Sequence, residues 1–172
     1  MVASRLFWAV AILGAVLDLV SKSAVFAQIG PGEAHTVVEG FFRLTHVRNR
    51  GGVWGMGQNL TEVFAVVRFC ALFVILYLLK VTRTDSRAFL IGLGLIFGGA
   101  VGNLFDTVYF GHVRDFLEFD LQFMVWPTFN IADSCITVGA ALLFVFFLRG
   151  EEHDPAGEEE SVAGQPGGEE RC

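Results

Sequence analysis

Cysteine is rare in this chain and charge is rarer than in most soluble domains, and each shortage removes a class of function. The 172 residues hold three cysteines, Cys70, Cys135 and Cys172, and none has the CxxC spacing of a metal or dithiol site. No disulfide framework is indicated. Cys70 and Cys135 lie in apolar runs with no histidine close in sequence, so both are expected to be small buried apolar residues and not nucleophiles. His46 and His112 lack HExxH or any similar metal-ligand spacing. Neither a metal nor an organic cofactor is expected, and no nucleic-acid partner.

Only 17% of the residues are charged, while 53% are hydrophobic and the mean hydropathy is +0.57, too apolar for an ordinary soluble domain. The bilayer is the expected solvent. The net charge of -6 is misleading, because eight of the eighteen acids follow Gly150 with a single base, Arg171. That Gly/Pro/Glu-rich stretch, residues 151–172, has too little apolar surface to fold and reads as a disordered tail. Residues 1–150 form the expected functional domain.

A hydrocarbon core roughly 30 Å thick takes about 20 apolar helical residues to cross. Four stretches qualify, about 6–29, 63–81, 88–108 and 131–148. The expected fold is an all-α membrane protein of four transmembrane helices. The first stretch could pass for a cleaved secretory signal, but Asp18 and Lys22 interrupt it, which favours a retained helix. Arg5, Lys80, Arg83, Arg87 and Arg149 flank the spans on one side, placing both termini in the cytoplasm by the positive-inside rule. Arg43, Arg48, Arg50 and Arg114 fall in the two outer loops and weaken that bias. Trp54, Tyr109 and Trp126 lie in or beside those loops, where amphipathic rings favour the interface.

The first outer loop, about 30–62, opens on the turn signal Pro31-Gly32 and carries β-favouring runs at residues 36–38 and 41–47, so a small extracytoplasmic sheet is expected. The second, about 109–130, is aromatic-rich and bounded by Pro127. A short interfacial helix or lid is expected there.

At about 1.5 Å per residue, Asp18 stands some 18 Å beyond Leu6 and Lys22 some 24 Å beyond it, in the outer half of the membrane. Asn103 and Asp106 end the third span on that side, Asn130 and Asp133 begin the fourth, and Asp115 lies between. An ionisable group at membrane depth costs at least about 2.5–3.5 kcal/mol on insertion scales, so polar groups gathered at one depth are a functional hypothesis. Plainer readings exist for each part. Asp18 and Lys22 form an i,i+4 pair that neutralises itself. Gly94, Gly98 and Gly102 make a ridge suited to close helix packing. Asn130 and Asp133 fit a helix N-cap with an acidic residue at its third position. Two carboxylates brought close in a partly dry site, however, share one proton, and the ionised partner can activate water against a peptide bond.

The segments DLVSK (residues 18–22), NRGGVWG (49–55), GGAVGNLFD (98–106), GHVRDF (111–116) and FNIAD (129–133), in this order, resemble the lipoprotein signal peptidase, or signal peptidase II, family. The resemblance implies an inner-membrane aspartic endopeptidase that removes signal peptides from prolipoproteins by cutting before a diacylglyceryl-modified cysteine. Its catalytic aspartates correspond to Asp115 and Asp133. Asn103, Asn130 and Asp106 then support the pair, Asn49 and Gly51 belong to a substrate-facing loop, Asp18 and Lys22 are a structural pair, and Gly99 and Ala132 lie among the supporting residues. The implied partners are diacylglyceryl-modified prolipoproteins and membrane lipid. The chain departs from the family pattern at Thr107, where arginine usually follows the aspartate of GNxxD, and Arg114 or Arg50 is a candidate to supply that guanidinium. The residues alone also leave open a four-span ion or proton carrier relaying through intramembrane carboxylates, or a non-catalytic membrane scaffold.

Overall fold

The computed structural model describes residues 2–51, 60–82, 84 and 86–149. Trp54, the second half of NRGGVWG, Arg83 and the acidic tail with Cys172 lie outside the described residues. Four helices and three strands run in the order α1 (Val2–Gln28), β1 (Ala34–Val38), β2 (Phe42–Asn49), α2 (Thr61–Val81), α3 (Arg87–Phe110), β3 (Val113–Phe119) and α4 (Ile131–Arg149). All four helices are long and apolar enough to cross a membrane, and their bounds fall within a few residues of those expected from hydropathy.

Chain order alternates the helices, so Arg5, Lys80, Arg87 and Arg149 share one end of the bundle. The sheet sits at the other. α3 is the central helix, with α1, α2 and α4 each packed against it. Its glycines make that possible: a β-carbon on Gly94 would meet the Phe7 carbonyl at 2.9 Å, and one on Gly98 would collide with the Ala11 carbonyl. Without a hydrophobic force between helices in lipid, such close backbone approach is what holds a bundle together. α2 touches mainly α3 and leaves most of its surface outward, including Cys70. The expectation that Cys70 is buried is therefore wrong, since an apolar side chain on a lipid-facing helix needs no protein cover.

At the end flanked by basic residues, Phe7, Ile75, Phe89, Leu90 and Leu93 pack into a core with Phe97, Leu143 and Phe146 around it. The opposite end carries the antiparallel sheet, ordered β1-β2-β3. β3 corrects the expected interfacial helix or lid. The run Val113 to Phe119 pairs with the free edge of β2, Asn49 against Val113 and Phe42 against Phe119. An exposed strand edge with unpaired N–H and C=O groups is a stronger demand on the neighbouring chain than its aromatic content. Gly111 makes the turn into β3, closing α3 at φ 71°, a left-handed conformation that favours glycine.

Candidate active site

The sheet and the helix ends bring the polar residues of five segments together. Asp18, Lys22, Asn103, Asp106, Asp115 and Asn130 are each no more than 2% exposed, while Asp133 is half-buried. They form two connected layers.

The deeper layer is ionic. Lys22 Nζ donates to Asp18 Oδ2 at 2.7 Å and to Asn103 Oδ1 at 2.8 Å, and stands 3.4 Å from Asp106 Oδ2. Asp18 Oδ1 in turn accepts the Ala132 N–H at 2.8 Å, so α1 caps the start of α4 from across the bundle. Gly102 must be glycine here, because a β-carbon would run into the Asp18 carboxylate; one on Gly99 would strike the Ala132 carbonyl. Asp106 is also gripped by Arg114, whose Nη2 donates to Oδ1 at 2.8 Å and whose backbone N–H donates to Oδ2 at 3.0 Å. The guanidinium lies 4.4 Å from the Phe110 ring centre. The cluster of Asp18, Lys22, Asp106 and Arg114 is thus neutral by itself. A buried charge without a partner is costly, and each of these has one.

The upper layer holds Asp115 and Asp133. Asn130 joins them: its Nδ2 donates to Asp115 Oδ1 at 2.6 Å, and its backbone N–H reaches Asp133 Oδ2 at 3.3 Å. Asn130 Oδ1 accepts the Asp133 N–H at 2.9 Å, completing a reciprocal cap at the start of α4. The helix-cap reading of FNIAD therefore holds, and the same two residues also belong to the polar assembly. Asn103 Nδ2 donates to Asp133 Oδ1 at 2.8 Å, and Asn49 Nδ2 donates to Asp115 Oδ2 at 2.9 Å. Asn49 is itself fixed by the Gly51 N–H, which donates to its Oδ1 at 2.9 Å. Asp115 lies in β3 opposite Val47, not in an irregular connection, and its neighbour Arg114 is held by Asp106 on the far face. Burial, then the charge of Asp133, push the Asp115 carboxyl up to about 7, against the lowering effect of the Asn49 and Asn130 hydrogen bonds and of Lys22.

All the residues singled out from the sequence, Asp18, Lys22, Asn49, Gly51, Gly99, Asn103, Asp106, Asp115, Asn130, Ala132 and Asp133, belong to this assembly. Arg114 is not available for the role suggested for it. Its guanidinium is engaged by Asp106. The residue overlooked is Arg68 of α2, whose Nη1 donates to Thr107 Oγ1 at 3.0 Å. Its signal was present as a charge inside the second apolar span. Both histidines are turned to backbone carbonyls: His46 Nδ1 is 2.7 Å from that of Ile29 and His112 Nδ1 is 2.8 Å from that of Phe110.

Comparison with known proteins finds relatives over most of the chain. The family described as Signal peptidase (SPase) II matches residues 10–149. A lipoprotein signal peptidase of Symbiobacterium thermophilum is 37% identical over 146 residues, covering 85% of this chain and 96% of the relative. One from Burkholderia mallei is 41% identical over 138 residues, with 78% and 82% covered. Two solved bacterial membrane enzymes share the fold, with TM-scores of 0.77 and 0.75 at 25% and 27% identity. They cover 94% and 83% of this chain and 93% and 92% of their own. Four membrane-spanning helices, a small outer sheet and these matches together make this chain a multi-pass membrane peptidase that belongs to the signal peptidase II family.

Proposed function

We propose that the chain removes signal peptides from prolipoproteins, cutting before a diacylglyceryl-modified cysteine with Asp115 and Asp133 as an aspartic dyad. The observation that carries this reading is the joint held by Asn130, which bonds a carboxylate from β3 and a carboxylate from α4 at once. Two such groups in a desolvated site retain one proton between them and titrate as a unit. Asp115, the more deeply buried, keeps the proton and donates it to the peptide carbonyl oxygen. Asp133, more open, takes a proton from water as the water attacks the carbonyl carbon. Asn103 and Asn49 hold the outer carboxylate oxygens in place, so little reorganisation accompanies the reaction.

The site lies at the sheet end of the bundle, opposite the basic residues. Together with the positive-inside rule, this supports a topology with both termini in the cytoplasm and the dyad near the outer face of the inner membrane. Acyl chains on the substrate cysteine keep a scissile bond at that depth. Purified protein in detergent is expected to release the signal peptide from a diacylglyceryl-modified prolipoprotein and to leave the unmodified precursor uncut. Intact activity in both Asp115→Asn and Asp133→Asn would rule the dyad out.

A further inference from the structure

An arginine inside a helix otherwise turned toward lipid needs a reason, and Arg68 has one in its surroundings. It stands seven residues into α2, about 10 Å from the outer end of the helix. The side chain is half-buried, with its Cζ 5.7 Å from the Phe64 ring centre and its Nη1 on Thr107 Oγ1. Thr107 is anchored in turn, donating from Oγ1 to the Asn103 carbonyl at 2.7 Å. Asn103 is the residue whose amide holds Asp133. The guanidinium is thereby tied, through Thr107, to the backbone of the same residue that positions the dyad, and the charges of Asp133 and Asp115 both act on it.

Charge balance points the same way. The cations Lys22 and Arg114 are matched by Asp18 and Asp106 in the deeper layer. A dyad sharing one proton carries one further negative charge, and Arg68 is the described cation beside it that the deeper layer does not use. Guanidinium groups are well suited to such a place, because their planar fork can serve a hydroxyl and a carbonyl together.

We propose that Arg68 is a substrate-binding cation of this site: held on Thr107, it receives a backbone carbonyl of the extended peptide and aligns the scissile bond with Asp115 and Asp133. This deepens the reading of the dyad and rests on it. It also explains a threonine at position 107, which serves as the seat for a guanidinium delivered from α2.

The test uses the full chain in detergent with a diacylglyceryl-modified prolipoprotein as substrate. Arg68→Ala is expected to lower kcat/KM about 10- to 100-fold, with most of the loss in KM. Arg68→Lys, which keeps the charge without the fork, is expected to recover about half of that loss on a logarithmic scale. In the Arg68→Ala background, Thr107→Arg places a guanidinium in the vacated space from α3 and is expected to restore cleavage. Loss of the cation also removes a positive charge that acts on Asp133, the base of the dyad, and leaves it with Lys22, Asn103 and Asn130, so the acid limb of the rate profile moves to higher pH. An Arg68→Ala protein with unchanged KM and pH profile overturns the inference. So does a loss shared equally by Arg68→Ala, Arg68→Lys, Arg68→Gln and the Thr107→Arg double variant with a fallen Tm, which would mean that Arg68 only packs α2. Failure of the dyad is separate, because it is read from Asp115→Asn and Asp133→Asn with Arg68 intact.

Discussion

The two ends of the bundle solve opposite problems with the same four helices. At the basic-flanked end, Phe7, Phe89, Leu90 and Leu93 fill space, and the faces of neighbouring helices meet through side chains. At the sheet end the same α1 and α3 bury Asp18, Lys22, Asn103 and Asp106, and almost every polar atom has a partner within the assembly. The apolar end tolerates small errors, since a lost methyl group leaves a cavity and little else. The polar end tolerates few, because removing one member leaves others charged and dry. Apolar packing and polar pairing are thus placed at different depths. The glycine ridge of α3 runs through both, with Gly94 seated on the carbonyl of Phe7 and Gly102 on the carboxylate of Asp18.

Substitutions that strike one end and spare the other break this contrast or sharpen it. The largest effect is expected from Asp115→Asn or Asp133→Asn, each lowering cleavage by at least about 10³-fold while helical content is retained, as read by turnover and circular dichroism. Asp106→Ala comes next. It strands Arg114 and removes a neighbour of Lys22, and is expected to cost about 3–5 kcal/mol in detergent unfolding, with activity falling as the fraction folded falls.

A third effect comes from pH without any substitution. With the Asp115 carboxyl raised to about 7 from an ordinary 3.8, its proton is bound more tightly in the folded protein than in the unfolded one. Its contribution to stability is therefore full below about pH 3.8 and lost as pH rises through 7. Cleavage by a dyad that needs this proton is expected to fall about tenfold per pH unit above the same point. A rate flat to pH 9 would show that the proton resides elsewhere.

At the apolar end, Phe89→Ala is expected to lower Tm through the cavity it leaves while kcat/KM per folded molecule stays within about twofold. A large loss of specific activity there would mean that the two ends are coupled. The smallest effect is expected from Arg43→Ala, which removes a partly exposed pair with Glu118 on the sheet and is worth less than about 1 kcal/mol.

Much of the polar end was legible before any fold was known. The depth of Asp18, Lys22, Asn103, Asp106, Asn130 and Asp133 follows from counting along apolar helices. What the residues could not separate was Asp106 from Asp115, since both are carboxylates at one depth; motif resemblance made that distinction. The sheet was half legible. β1 and β2 announce themselves by β-branched runs and a Pro-Gly turn, whereas β3 is defined by the edge it completes. Arg68 shows in the sequence as a lone charge inside an apolar span, but its partner Thr107, 39 positions away, is visible only in the structure.

By itself, the sequence determined the solvent, the four spans and the depth of the charges, because these depend on local composition and on a fixed rise per residue. Only the tertiary structure decided who meets whom. Asp106 takes Arg114, Asp18 caps α4, Asn130 joins Asp115 to Asp133, and Thr107 seats Arg68. Hydrogen bonds and ion pairs act over about 3 Å, and residues as far as 114 positions apart come within that reach only once glycine-lined helices and a paired strand have closed the distance.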